Sequence, residues 1–323
     1  MSTASISHQI ARCLDQLFLT KEEIDRRKEA LGVTSLKRAL RPGGDPTRPI
    51  QVMFSVETYR TYFTAARACF RLAQKMTGKR LLKDLLQKEI LLEVYEEHYS
   101  NCAPGTISKL QCAIKKVYAG AVLLGWVKGA CPIENEFRDR MEQHFRPPRY
   151  GYTPRDALRI IDYLVERRSR FALPAKLSLY CGLRENEDAG LRGEHIDRER
   201  QLLCITGKNG RYREVPIPAR LLPELTRTTG YLFTPSRSWR SAFRQASSNA
   251  SKALKIEDSG VHRLRATYAQ LVYTACRNSG WEDGAARDEV ARLLGHGRRE
   301  VSFHYVPEGF EWQLYTDYTD LIS

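Results

Sequence analysis

Apolar residues recur at helical spacing along most of the chain. Ile6, Ile10, Leu14 and Leu17 form the first stripe, since steps of three and four residues fall on one helical face. Thr20 and Glu23 then have the spacing of a capping box. A run of Arg, Pro, Gly and Asp at 41–49 breaks any helix. Residues 1–48 are therefore read as a short helical extension. Further on, Tyr59, Tyr62, Phe63, Ala66, Phe70 and Ala73 line one face of a helix that Gly78 can stop. A second helix over about 84–99 carries Leu85, Ile90, Leu92 and Tyr95. A third opens at Pro104 and carries Ile107, Leu110, Ile114, Val117 and Ala121. These make one helical domain, 49–145. The pair Pro147-Pro148 cannot continue a helix, and a second domain, 146–323, begins there.

The period changes in the second domain. Thr153 or Asp156 starts a helix holding Ile160, Ile161 and Leu164. Residues 202–206 and 211–217 are strand-like, and between them stand Gly207-Lys208-Asn209-Gly210. Asn-Gly is a strong hairpin signal, which puts Lys208 at the turn end of two antiparallel strands. The expected fold class is mainly α with a small β-sheet: a helical domain followed by an α+β domain.

Composition adds a partner class. Lys plus Arg is 52 against 38 Asp plus Glu, a net charge of +14, which suits a polyanion. Arg60, Arg67, Arg71 and Lys75 decorate the first helix of the helical domain; Lys109, Lys115 and Lys116 decorate the third; Arg146 and Arg149 flank the proline pair. Such charges are commonly a solvated face, but beside a phosphate-cutting centre they read as a DNA backbone track. The eight cysteines include no CxxC pair, so a zinc ribbon is not expected. With no secretory leader and no run of ~18 apolar residues, the expected setting is the bacterial cytoplasm, at the nucleoid, with free thiols and no membrane.

The candidate chemistry lies near the C-terminus. Cutting a phosphodiester without a metal needs a nucleophile, fixed cations for the two non-bridging oxygens, and a proton for the leaving 5′-oxygen. A tyrosine phenol suits a reversible cut, because a phosphotyrosyl ester conserves the bond energy for rejoining. With an ordinary phenol pKa near ~10, it wants a base or a cationic field. Arginine suits the oxygens through its planar, permanently charged fork. The chain offers Arg184 in Gly182-Leu183-Arg184, and His262 with Arg265 three residues on, hence on one helical face. It then offers His296 after Leu294-Gly295, and Tyr305 nine residues later.

These residues resemble the tyrosine recombinase (phage integrase) family. Gly182-Leu183-Arg184 with Glu187, Leu191 and Asp197 is similar to the family's first arginine box. His262-Arg263-Leu264-Arg265 with Thr267, Tyr268 and Ala269 is similar to its second, and Leu294-Gly295-His296 with Tyr305 to its third. Lys208, followed by Arg213-Glu214-Val215-Pro216, matches its hairpin lysine. Residues 49–145 resemble its core-binding domain, so the likeness covers most of the chain beyond the first 48 residues.

The resemblance implies a two-domain clamp around DNA. Tyr305 would attack the scissile phosphate, giving a 3′-phosphotyrosyl bond and a free 5′-hydroxyl. Arg184 and Arg265 would clamp the phosphate, Lys208 would protonate the leaving oxygen, His262 would exchange a proton with Tyr305, and His296 would hydrogen-bond the phosphate. Glu187 would brace the arginine box. The partner would be double-stranded DNA with paired inverted core sites, bound by a homotetramer that exchanges strands through a Holliday junction, with an accessory DNA-bending protein allowed. No cofactor, metal or nucleotide is implied. The task would be integration, excision or transposon cointegrate resolution for a mobile element. Asp188, where the family usually has an apolar residue, Gly193, where tryptophan is common, and an apparent insert at 277–284 depart from the pattern.

Competing readings use the same residues. A type IB topoisomerase-like enzyme would share the chemistry without synapsis, but the separate helical domain argues against it. A silent DNA-binding accessory protein would not need every key position filled. A metal site from His262, His296 and His304 lacks acidic partners at ligand spacing. Tyr315 and Tyr318 are rival nucleophiles by type but lie further from His296 than the third box allows. The tail, 306–323, is either core or, by the family analogy, a segment that docks on a neighbouring protomer.

Overall fold

A computed structural model describes residues 4–33, 36, 40, 52–133, 136–141, 150–207, 210–257, 260–296 and 298–323, without the side chains of 138, 139 and 141. It is mainly helical with one small sheet, and it divides into two compact units, 1–146 and 147–323.

In the first unit, α1 (Ile6–Asp15) is capped by Ser5. It buries Ile6, Ile10 and Leu14 in the same core as Phe70 and Ile114. The first 48 residues, read as an extension, thus supply a helix to this core. Helix α2 (Lys21–Leu31) starts with the expected box: Glu23 N donates to Thr20 Oγ1 at 3.3 Å and Thr20 N to Glu23 Oε2 at 2.7 Å. Helix α3 (Val56–Thr77) buries Ala66, Cys69, Phe70 and Ala73. The expected single helix over 84–99 is two: α4 (Leu82–Leu85) and α5 (Lys88–His98), parted by an extended Gln87. Leu82, Leu85, Leu86 and Ile90 stay buried across the break, and no Gly or Pro marks it. Periodicity alone therefore runs through it. The buried Gln9 of α1 holds the start of α4, accepting from Leu82 N at 2.8 Å and donating to Arg80 O at 3.2 Å. Helix α6 (Pro104–Leu123) buries the five predicted positions, and α7 (Glu136–Met141) follows.

In the second unit, Thr153 caps α8 (Pro154–Glu166). Then come α9 (Ala172–Tyr180), α10 (Glu185–Ala189), α11 (Arg237–Ala253), α12 (Val261–Asn278) and α13 (Asp283–Leu293). The hairpin pairs β2 (Leu202–Thr206) antiparallel with β3 (Tyr212–Pro216), and a short β1 (Ile196–Asp197), which the pattern did not predict, joins its outer edge. The alternation of strand faces brings Arg213 and Val215 inward together. Helix α12 is buried on nearly every side. The tail lies on it in the same chain: Thr274 Oγ1 donates to Trp312 O at 3.4 Å, and Phe310 meets the Tyr273 ring edge-on. Tyr315 and Tyr318 pack against this unit's core. No helix among the described residues is long and apolar enough to cross a membrane.

Candidate active site

Three local devices bring the candidate residues together. The first is the end of α13. His296 N donates to Ala291 O at 2.7 Å and Gly295 N to Arg292 O at 3.0 Å, with Gly295 left-handed at φ 67°. This is a Schellman ending, which needs a residue without a Cβ penalty at position 295. It also turns His296 off the helix and frees the carbonyl of Leu294. The second device is the start of α10. Glu187 Oε2 accepts the backbone N–H of Arg184 at 2.8 Å, and its Oε1 accepts Arg184 Nη1 at 2.7 Å. The third is the opening turn of α12, where His262 is exposed and Arg265 is fully buried.

The two guanidiniums converge on one atom. Arg184 Nη2 and Arg265 Nη2 both donate to Leu294 O, at 3.3 and 2.6 Å, and Arg265 Nη1 donates to Gly182 O. Arg184 Nη2 also lies 3.3 Å from His296 Nε2. The Tyr305 hydroxyl is 3.3 Å from that same nitrogen and 3.5 Å from His262 Nε2. Tyr305 itself is only 7% exposed.

Glu187 is the hub beneath. Besides Arg184, it takes two bonds from Arg213, at 3.0 and 2.8 Å, and stands 3.7 Å from Arg265. Burial opposes its charge, but the hydrogen bonds and charge of Arg213, helped by Arg265, hold its pKa down at about 2. One carboxylate thus offsets part of three crowded cations, of which Arg213 and Arg265 are buried. Burial, then repulsion from Arg184, lowers Arg265 to about 10, so it stays charged at neutral pH. Its Nε, like that of Arg213, is buried with no hydrogen-bond partner among the described residues.

The same field acts on the histidines. Desolvation, then the charges of Arg265, Arg184, Arg213 and Arg211, depresses His296 to about 3. His262 keeps an exposed face, but partial desolvation where its Nε2 meets Tyr305, then Arg265 and Arg184, lowers it too. Both rings are neutral at pH 7. If His296 Nε2 accepts from Arg184, its proton sits on Nδ1, and the Tyr305 hydroxyl is left His262 Nε2 as the acceptor able to take its proton.

Sequence reasoning missed Arg213, named there only in the stretch that follows Lys208. Its shared face with Val215 and Ile217 in a period of two was the available signal. Asp188, noted as a departure, is fully buried. It accepts from Ser178 Oγ at 2.9 Å, and burial raises its pKa well above its ordinary value. Lys208, Arg146 and Arg149 lie outside the described residues. Gly207, the neighbour of Lys208, backs onto the hub: a Cβ there would come within 2.8 Å of Glu187 Oε1. His304 is exposed and outside the cluster. No group of three His, Cys, Asp or Glu side chains among the described residues could hold a metal ion.

In the first unit, Arg60, Arg71 and Lys75 are exposed on α3, with Arg67 half-buried over the Phe63 ring. Arg71 and Lys75 line an open depression of about 520 Å³ with Ala68, Leu72 and Gln74. On α6, Lys109 is exposed, while Lys115 and Lys116 are half-buried. Burial, with repulsion from Lys115, lowers the Lys116 pKa to about 8.

No family model and no curated protein matches the sequence. Solved structures do match in fold. A λ integrase tetramer bound to a Holliday junction is 13% identical at a TM-score of 0.59, over 87% of this chain and 75% of that one. A λ integrase dimer bound to a COC′ core site is 15% identical at 0.56, over 89% and 95%. A Tn1549 transposon integrase in complex with transposon right end DNA is 14% identical at 0.52, over 76% and 89%. The fold is that of the tyrosine recombinases, and the likeness drawn from the motifs is upheld at that level.

Proposed function

We propose that this chain is a site-specific DNA recombinase that cuts and rejoins DNA through a 3′-phosphotyrosyl intermediate. The observation that carries the reading is a continuous run of contacts, none longer than 3.5 Å: both guanidiniums meet at Leu294 O, Arg184 reaches His296, and the Tyr305 hydroxyl lies between His296 and His262.

In this reading the scissile phosphate takes the place of Leu294 O and His296 as partner of the outer guanidinium edges. Tyr305 Oη bonds to phosphorus as the bond to O5′ breaks. The phenol proton passes to His262 Nε2, and O5′ takes a proton from Lys208. Arg184 and Arg265 hold the non-bridging oxygens, where charge grows most, and His296 donates once the phosphate displaces its present contacts. Rejoining runs the same path backwards. The second unit is then the catalytic domain. The first is the core-binding domain, with Arg60, Arg67, Arg71, Lys75, Lys109, Lys115 and Lys116, together with Arg146 and Arg149, tracking phosphates.

Paired inverted core sites, a homotetramer, a Holliday junction and a mobile-element task belong to the same proposal. They draw support from the junction-bound λ integrase tetramer and the transposon integrase among the fold neighbours. The test is a pool of nicked duplexes of randomised sequence, incubated with the protein in EDTA. A covalent protein–DNA adduct from the wild type and none from Tyr305→Phe is expected. An equal yield from both proteins, or none from the wild type, overturns the proposal.

A further inference from the structure

The segment that follows Tyr305 is held more tightly than its place in a loop requires. Three successive carbonyls, those of Tyr305, Val306 and Pro307, each accept a side-chain donor from a buried residue of α12 or α13. Gln270 Nε2 donates to Tyr305 O at 3.0 Å. Arg287 Nη1 donates to Val306 O at 2.6 Å, and its Nη2 to Pro307 O at 3.4 Å. Gln270 is 1% exposed and Arg287 3%. Tyr305 N and Val306 N meanwhile both donate to Ser302 O, at 2.9 and 2.8 Å, so the backbone on both sides of the phenol is fixed.

Arg287 is itself locked. Its Nε meets both oxygens of Asp283, at 3.0 and 2.9 Å, and Asp283 Oδ1 also accepts the Tyr273 hydroxyl at 2.6 Å. The guanidinium lies 4.0 Å from the centre of the Phe303 ring and 5.3 Å from that of Tyr273. A buried guanidinium needs such company to be tolerated at all. Its remaining donors point at main chain next to the phenol, not at an acid that would neutralise it further. Asp283 also comes from the stretch 277–284, which stood out in the sequence as an insert. Here it braces the arginine that grips the segment after Tyr305.

We infer that Gln270 and Arg287, the latter set by Asp283, Tyr273 and Phe303, are positioning residues that fix the Tyr305 backbone so that its phenol meets the phosphate in line. This rests on the reading of Tyr305 as nucleophile. Neither residue contacts Arg184, Arg265 or the histidines through any hydrogen bond described above, so their loss acts on the attacking oxygen and spares the phosphate clamp.

The test compares two cuts of the same nicked-duplex pool. In one, Tyr305 attacks and leaves an adduct. In the other, hydrogen peroxide supplies an external nucleophile: a peroxide oxygen bonds to phosphorus as the P–O5′ bond breaks, and no adduct forms. Arg287→Lys keeps the charge but loses the fork; Gln270→Leu leaves the guanidinium in place, so one variant remains informative if the other does not fold. Adduct formation is expected to slow by about tenfold to a hundredfold, the scale of a misplaced reacting group. Peroxide cleavage by these variants is expected to match that of Tyr305→Phe. Wild-type adduct rates in the folded variants, or peroxide cleavage falling in step with adduct formation, would overturn the inference while leaving the nucleophile in place. If the wild type forms no adduct at Tyr305 at all, both the inference and the reading beneath it fall.

Discussion

At the scale of single residues, the site is a contest between crowded cations and the groups that must stay neutral among them. In the proposed chemistry, replacing Arg184 or Arg265 by Ala would remove a fixed donor aimed at developing charge. Single-turnover cleavage is expected to slow by ~10²–10³-fold, and a near-normal rate in either variant would count against the clamp. The histidines give a pH signature. His262 and His296 both have lowered pKa values, His296 at about 3, so the neutral rings persist below the ordinary value. The cleavage rate should therefore hold through neutrality and fall with a midpoint below pH ~6.5. A fall already centred at that value would contradict the electrostatic picture. Stability follows the same sign. Between ~6.5 and about 3 the unfolded chain takes up a proton that folded His296 refuses, so the unfolding free energy drops as pH drops. Glu187, held at about 2, adds stability that is present above its unfolded value of ~4.3 and is lost as pH falls toward 2. Urea titrations across pH would read both.

At the scale of elements, the ends of helices set the chemistry more than their middles do. The Schellman ending of α13 presents His296 and the Leu294 carbonyl on which both arginines converge. Gly295→Ala would force a Cβ into a left-handed residue, costing roughly 1–2 kcal/mol, and would crowd Arg213 Cδ at 3.1 Å. A lower melting temperature together with slower cleavage is expected, with Gly295→Asn milder on both counts; an unchanged melting temperature would contradict this account of the turn. Much of this level was legible in the sequence. The capping box at Thr20, the stop at Gly78, the N-cap at Thr153 and the pairing of β2 with β3, with Gly210 left-handed before β3, all have local causes, namely a side-chain acceptor or a glycine at a required position. What stayed hidden had non-local causes. The start of α4 depends on Gln9 from another helix. The grip on residues 305–307 depends on two side chains from α12 and α13 that look, in the sequence, like ordinary polar positions.

At the scale of the whole molecule, the charge of +14 carries the expected partner. Binding to duplex DNA should weaken steeply with salt, and if Arg60 and Arg71 contact phosphates as proposed, each Ala substitution there should flatten the log–log slope by about one unit. A slope unmoved by both would place the DNA elsewhere. The motifs carried the fold class and the constellation of Arg184, His262, Arg265, His296 and Tyr305. They did not reveal that α1 belongs to the first core, because a stripe such as Ile6, Ile10 and Leu14 states only that a face is buried, not against what. They left open whether the tail is core or docks on a neighbouring protomer; within the chain it rests on α12. The proposed chemistry turns on one bond, between a phenol oxygen and phosphorus, and the position of that bond can be read directly. Digestion of a trapped adduct and mass spectrometry of the nucleotide-bearing peptide should find the phosphate on Tyr305. Finding it on Tyr315, on Tyr318, or on no tyrosine would contradict the account.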